Sequence, residues 1–256
     1  MTQQNRPKGV AVHQDGDIAR VELDDGRGNA LGTAALQALG KAIEEAESAD
    51  AVLLTGRPRI FCGGLDLEEI ASMSQHRIIE FFDLLHETRR ALFALERPLV
   101  VAVAGSAVGA GASLLCCGDR RLGARDQGIV GFTEAKLGVP LPASAMTIAS
   151  STLAPSVTAR ALIFGELFDR QEALEHGFFH QLIEPDQLVD EAEQATRIAA
   201  RTSRASGLIK RTMRKEALAR MDRERAESHA MFAAEWTSAA AQTRIQATLQ
   251  ALRAPR

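Results

Sequence analysis

Apolar and polar positions alternate along Gly9–Gln14 and Asp17–Leu23, and Asp15-Gly16 between them is a hairpin turn signal. From Leu31 to Ala46 the period lengthens. Leu31, Ala35, Leu39, Ala42, Ile43 and Ala46 recur at helical spacing. Ala51–Thr55 predicts a short buried strand ended by Gly56, and Leu65–Met73 starts a helix. An amphipathic helix is expected over Arg77–Leu95, stopping before Pro98. Leu99–Ala104 then reads as a buried strand and Val108–Cys117 as a buried helix, with short extended pieces at Arg120–Ala124 and Gly128–Gly131. Further helices are expected over Ala143–Leu153, Ser156–Gly165, Arg170–Gly177 (Gly177 as C-cap) and Asp190–Arg201. From Ser206 to Leu252 the pattern is almost wholly helical. Strands alternating with helices imply an α/β chain with a largely parallel, helix-covered sheet. The helical tail needs an apolar partner, in its own domain or on a second subunit.

Composition narrows the function classes. The chain has 256 residues, 46% hydrophobic and 25% charged, an ordinary globular balance. A net charge of −3 gives no nucleic-acid footprint. Three cysteines, two of them adjacent, do not make a disulfide framework and point to a reducing compartment such as the cytoplasm. No run approaches 18 apolar residues, so no membrane span is expected, and M-T-Q-Q-N-R-P-K-G lacks the apolar core of a signal peptide.

The stretch with the most chemical content is L-V-V-A-V-A-G-S-A-V-G-A-G-A-S-L-L-C-C-G-D, Leu99–Asp119. A Walker loop needs G-x-x-x-x-G-K-S/T, and no Lys follows Gly105 or Gly109. A dinucleotide fingerprint needs G-x-G-x-x-G, but Leu114 stands at the third glycine position. Two readings remain. Small residues let the helix pack tightly on the sheet, or they let an oxyanion approach free N–H groups at the helix start.

A second segment, R-P-R-I-F-C-G-G-L-D-L-E-E-I (Arg57–Ile70), repeats the strand, glycine pair and helix start. Together the two resemble the crotonase superfamily of enoyl-CoA hydratases and isomerases. Phe61–Leu67 fits the family's F-S/C-A/G-G-x-D-L/I, and Ala104–Gly111 echoes N-G-x-x-x-G-G-G. Asp119 stands at the end of the following helix, Glu134–Gly138 supplies E-x-x-L-G, and Phe168–Leu188 is similar to the downstream A-x-x-x-G-L-V-x-x-V-V segment. The resemblance runs in order over roughly residues 10 to 250.

The resemblance implies a spiral of ββα repeats over residues 1–200 and a helical region over 201–256 that covers the site and joins subunits into trimers or hexamers. It implies an acyl-CoA thioester as partner and no separate cofactor, coenzyme A being part of the substrate. It places the thioester oxygen between the backbone amides of Leu65 and Ala110, and coenzyme A near Arg27, Gly28, Gly64, Asp66 and Leu67. Asp66 equally suits a helix N-cap. Hydratases of the family use two glutamates. Here the first position is Ser113, which reads as a helix residue bonding its own backbone, and the second is Glu134 in apolar surroundings that would raise its pKa. One carboxylate suffices to move a proton from C2 to C4, so the pattern resembles the Δ3,Δ2-enoyl-CoA isomerases. An enoyl-CoA hydratase-type lyase or another crotonase reaction, and a non-catalytic acyl-CoA binder, are the alternatives. The sequence departs from the family at Ala104, at Ala110 within G-A-G, and at P-L-P-A-S (Pro140–Ser144).

Other candidates stay bland. H-G-F-F-H (His176, His180) lacks the pattern of a zinc helix and reads as a solvated loop, so no metal site is expected. Cys62 reads as a small buried hydrophobe. The Arg-rich patches of the tail read as solvated helix faces, and its apolar face as oligomer contacts.

Overall fold

The computed structural model describes residues 9–253 apart from 127, 203 and 204; the N-terminal stretch examined for a leader lies, Gly9 excepted, outside them. β1 (Val10–Asp15) and β2 (Ile18–Leu23) pair as the expected hairpin, Val10 opposite Leu23. Then come α1 (Thr33–Ala46), β3 (Ala51–Thr55), β4 (Ile60–Cys62), α2 (Leu67–Ala71), α3 (Gln75–Ala94), β5 (Leu99–Val103), β6 (Ser106–Val108) and α4 (Ala110–Cys116). β7 (Arg120–Ala124), β8 (Val130–Gly131), α5 (Glu134–Leu137), α6 (Ala143–Thr152), α7 (Pro155–Leu162), β9 (Leu167–Phe168) and α8 (Arg170–Glu175) follow. The chain ends with β10 (Gln181–Ile183), α9 (Leu188–Ala200), α10 (Ala205–Trp236) and α11 (Ala239–Arg253).

The strands form two sheets, ordered β1-β2-β3-β5-β7-β10 and β4-β6-β8-β9. Each of the pairs β3–β4, β5–β6 and β7–β8 gives one strand to each sheet and then enters a helix, so the chain winds as a spiral of ββα turns. Pairing is parallel except at β1–β2 and β8–β9. The near-continuous apolar runs of β3 and β5 follow from burial on both faces. Val52, Leu54, Val101 and Val103 join the main core, while Leu53, Val100 and Ala102 pack on the other side with Leu188 and Ala192 of α9.

The tail belongs to the same core. Met221, Phe232, Trp236, Ile245 and Leu249 are buried in the main cluster. Phe82 of α3 lies 3.9 Å, centroid to centroid, from Phe232, which stacks on Trp236. The patches read as solvated faces are therefore partly anchors. Lys210 and Arg214 both hold Asp119, at 2.6 and 2.9 Å, and Arg225 pairs with Asp83 and Glu87.

Three local expectations are corrected. Leu31 is not in α1; it forms an isolated parallel bridge with Leu65. Val108 is not helical but ends β6, held by Ser106–Ile60 and Ala107–Val130 pairings distant in sequence. The helical tail breaks at Thr237–Ser238, where Ser238 Oγ accepts from the Ala241 amide at 3.2 Å and caps α11.

Candidate active site

The site forms where the two glycine turns meet. After β4 the chain turns through Gly64, whose φ of +104° strains any L side chain; a Cβ there would also come 3.2 Å from the Val108 carbonyl. The Leu31 amide donates to Gly64 O at 2.8 Å, and the Asp66 amide to Leu31 O at 3.1 Å. A parallel bridge uses the groups on either side of the bridged residue. The Leu65 N–H therefore points away from Leu31 and has no hydrogen-bond partner among the described residues.

After β6 the chain turns through Gly109, at φ +56°, into α4. Ala110 is the first helical residue, and its N–H belongs to the orphan donors of a helix start, with no side-chain cap. A Cβ on Gly64 would lie 3.9 Å from that nitrogen, so the two free amides stand side by side. Gly111 lets the helix sit this close: a Cβ there would meet Cys62 O at 2.3 Å.

Glu134 opens α5 behind the same turn. Its Oε1 lies 3.6 Å from the Cβ position of Gly109. The residue is only 6% exposed, in a stretch of chain where Val130, Phe132, Val139 and Leu141 are also buried, and its Oε2 has no hydrogen-bond partner. Burial pushes its pKa above the usual carboxylate value; its own backbone amide, the charge of Arg89 and the Thr133 amide oppose that rise. Leu65, Ala110 and Glu134 are thus brought together as a pair of unspent donors beside a carboxylate with one free oxygen. Such a cluster can bind an oxyanion and accept a proton next to it.

Ser113 lies one turn further along α4. Its hydroxyl donates to Ala110 O at 2.8 Å, the backbone bond expected of it. Asp66 caps α2 by accepting from the Glu69 amide at 3.0 Å, and Leu67 begins that helix. Arg27 is exposed in the turn after β2. The neighbouring Gly28 O accepts from the Gly63 amide at 2.9 Å, which laces that turn to the first glycine loop.

Two residues escaped the sequence reading. Asn29 is buried with φ +50°; its Nδ2 donates to Leu23 O at 2.7 Å and to Phe61 O at 3.0 Å, pinning the β2–α1 turn to β4. An Asn beside glycines in G-R-G-N was the available signal, since Asn tolerates this conformation. Arg89 falls on the apolar stripe of α3, between Phe82, Leu85 and Phe93, and is buried, with the charge of Glu134 acting on it. Cys62, pushed up to about 12 by burial, is a neutral packing thiol. His176 and His180 are not simply solvated. They meet Arg160 at 2.8 Å and Arg121 at 3.1 Å, and no metal-binding cluster occurs among the described residues.

Comparison with known proteins agrees with this geometry. The model of the family described as enoyl-CoA hydratase/isomerase matches residues 13–252. The Bacillus subtilis protein YngF, named in the same hydratase/isomerase class, is 30% identical over 171 residues, 65% of this chain and 65% of its own, so the match spans just under two thirds of that relative. Among solved structures, an enoyl-CoA hydratase from Mycobacterium marinum superposes with a TM-score of 0.82 at 30% identity, covering 88% of this chain and 99% of that one. Human mitochondrial Δ3-Δ2-enoyl-CoA isomerase superposes with a TM-score of 0.90 at 26% identity, covering 96% and 98%. The chain belongs to the enoyl-CoA hydratase/isomerase family, the crotonase superfamily.

Proposed function

We propose that this protein is an acyl-CoA enzyme that shifts a double bond from C3 to C2 of an enoyl-CoA, with Glu134 as its acid and base. The observation that carries this reading is a carboxylate, the single buried one among the described residues, with a free oxygen beside two amides that have no partner among those residues, while Ser113 spends its hydroxyl on the backbone. In this reading the thioester oxygen lies between the Leu65 and Ala110 amides. Glu134 takes the C2 proton, the C–H electron pair enters a dienolate, and the proton returns at C4. Each amide donor is worth about 3 kcal/mol to the developing oxyanion. Coenzyme A runs past Arg27, Gly28, Gly64, Asp66 and Leu67 and is the only cofactor-like group required. The working unit is a homotrimer or a hexamer of paired trimers.

Hydration is the second reading, favoured by the likeness to the M. marinum hydratase. It must activate a water and also protonate a carbon, work that two carboxylates divide. The two are separated by offering 3-enoyl-CoA and 2-enoyl-CoA to wild type and Glu134→Gln. Isomerisation of the first, lost in the variant, supports the isomerase. Rapid hydration of the second supports the hydratase. Equal inertness of both proteins with thioester binding retained marks a non-catalytic binder.

A further inference from the structure

Arg89 sits in the middle of α3 and is 1% exposed. A buried arginine normally spends its fork of donors on carbonyls or a carboxylate. Arg121 does so, giving Nε to Phe178 O, Nη1 to Gly118 O and Nη2 to Gly177 O, all within 2.9 Å. Arg89 differs. Its Nη1 makes one long contact, 3.4 Å, to Ser144 Oγ on α6, and its Nε has no partner.

Among the charges that act on Arg89, that of Glu134 leads. Cys62 and Cys117, also within its field, are pushed up to about 12 by burial and are neutral. Glu134 Oε2 is likewise unpartnered, and Arg89 is the one charged side chain that acts on it among the described residues. Either charge alone in this interior would cost several kcal/mol. The two are nevertheless not in contact as an ion pair. A contact pair would occupy the carboxylate oxygen that must take a proton.

Resting on the reading of Glu134 as proton shuttle, we propose that Arg89 is its buried counter-charge: it favours the carboxylate before proton transfer and faces the anionic thioester afterwards. The site starts with one cation and one anion. When the C2–H bond breaks, its proton neutralises Glu134 and its electron pair makes the dienolate, so the site again holds one cation and one anion. Arg89 is a positioning residue here, since it acts through Glu134's charge and does not touch the reacting atoms.

The other titratable groups around the pair leave this balance unchanged near neutral pH. On α3 and α10, burial lowers the pKa of His86 and brings His229 to about 4, so both are neutral. Their partners Asp222 and Asp83 also bond the half-buried Arg90 and Arg225. Lys136 on α5 is exposed, as is Arg244 on α11, whose guanidinium packs on Gly138. Ser144 and Thr147 of α6 carry no charge.

The test is the pH profile of kcat/KM on 3-enoyl-CoA for wild type, Arg89→Met and Arg89→Lys. Arg89→Met is expected to move the acid limb up by about 1–3 pH units, with activity recovering at high pH; Arg89→Lys is expected to leave it at the wild-type position. An Arg89→Met limb that coincides with wild type overturns the proposal. If Arg89→Met does not fold, the Arg89→Met/Glu134→Gln double variant is expected to fold, because the uncompensated carboxylate is gone. A double variant as unfolded as the single one overturns the proposal. Glu134→Gln run alongside keeps the two claims apart. Full activity there removes the proton shuttle itself, whereas an inert Glu134→Gln with a wild-type limb in Arg89→Met removes only the counter-charge.

Discussion

At Glu134, activity and stability pull in opposite directions. A carboxyl whose folded pKa lies above its unfolded value adds stability below the unfolded value and loses it as pH rises through the folded one. Glu134→Gln, fixed in a neutral form, is therefore expected to lose less stability than wild type as pH rises from acid to neutral; thermal scans across pH check this. The oxyanion donors are main-chain groups and need a different probe. Ala110→Pro removes one N–H at a first helical position, where Pro is tolerated. It is expected to lower kcat about 10²–10³-fold with thioester affinity largely kept, measured by steady-state kinetics and calorimetry. These residues were legible in the sequence because Phe61–Leu67 and Glu134–Gly138 are contiguous motifs. Arg89 was not, since an arginine pair on a helix looks like surface until the helix's neighbours are known.

Elements show where local signals stop. The hairpin, β3, β5 and the long α3 follow from periodicity and from Pro98, all local properties. β6 is three residues of Ser, Ala and Val flanked by glycines, and it is a strand only because β4 and β8 lie on either side. Asp119 is another residue whose role is non-local. It accepts from the Leu99 amide at 2.8 Å and holds Lys210 and Arg214, whose guanidinium also lies 4.1 Å from the Phe93 ring centroid. Asp119→Ala leaves the Leu99 amide unpaired and two largely buried cations without their counter-charge, held by the carbonyls of Arg97, Phe93 and Cys117. A loss of about 1–3 kcal/mol is expected, read from urea unfolding, with the α10 amides exchanging faster.

At the scale of the whole molecule, the C-terminal helices pack back onto the core. α10 packs along α3 and α6, and α11 reaches α5 and α2: Arg244 lies on Gly138 at the end of α5, and Arg253 pairs with Glu68 of α2 at 2.7 Å. The α3–α10 seam contains His86 and His229, rings 5.7 Å apart. Burial leads in lowering both pKa values, His229 to about 4. A histidine with a lowered folded pKa contributes stability above its unfolded pKa near 6.5 and loses it as pH falls through the folded one. The fold is expected to weaken between about pH 6.5 and 4, and less so in His229→Gln, monitored by circular dichroism.

The account stands most directly on where the proton goes. Wild type and Glu134→Gln are each incubated with 3-enoyl-CoA, and the products are separated by chromatography. Conversion to 2-enoyl-CoA without 3-hydroxyacyl-CoA, reduced at least about 100-fold in Glu134→Gln, is the expected result. Accumulation of 3-hydroxyacyl-CoA, or an undiminished rate in Glu134→Gln, would contradict it.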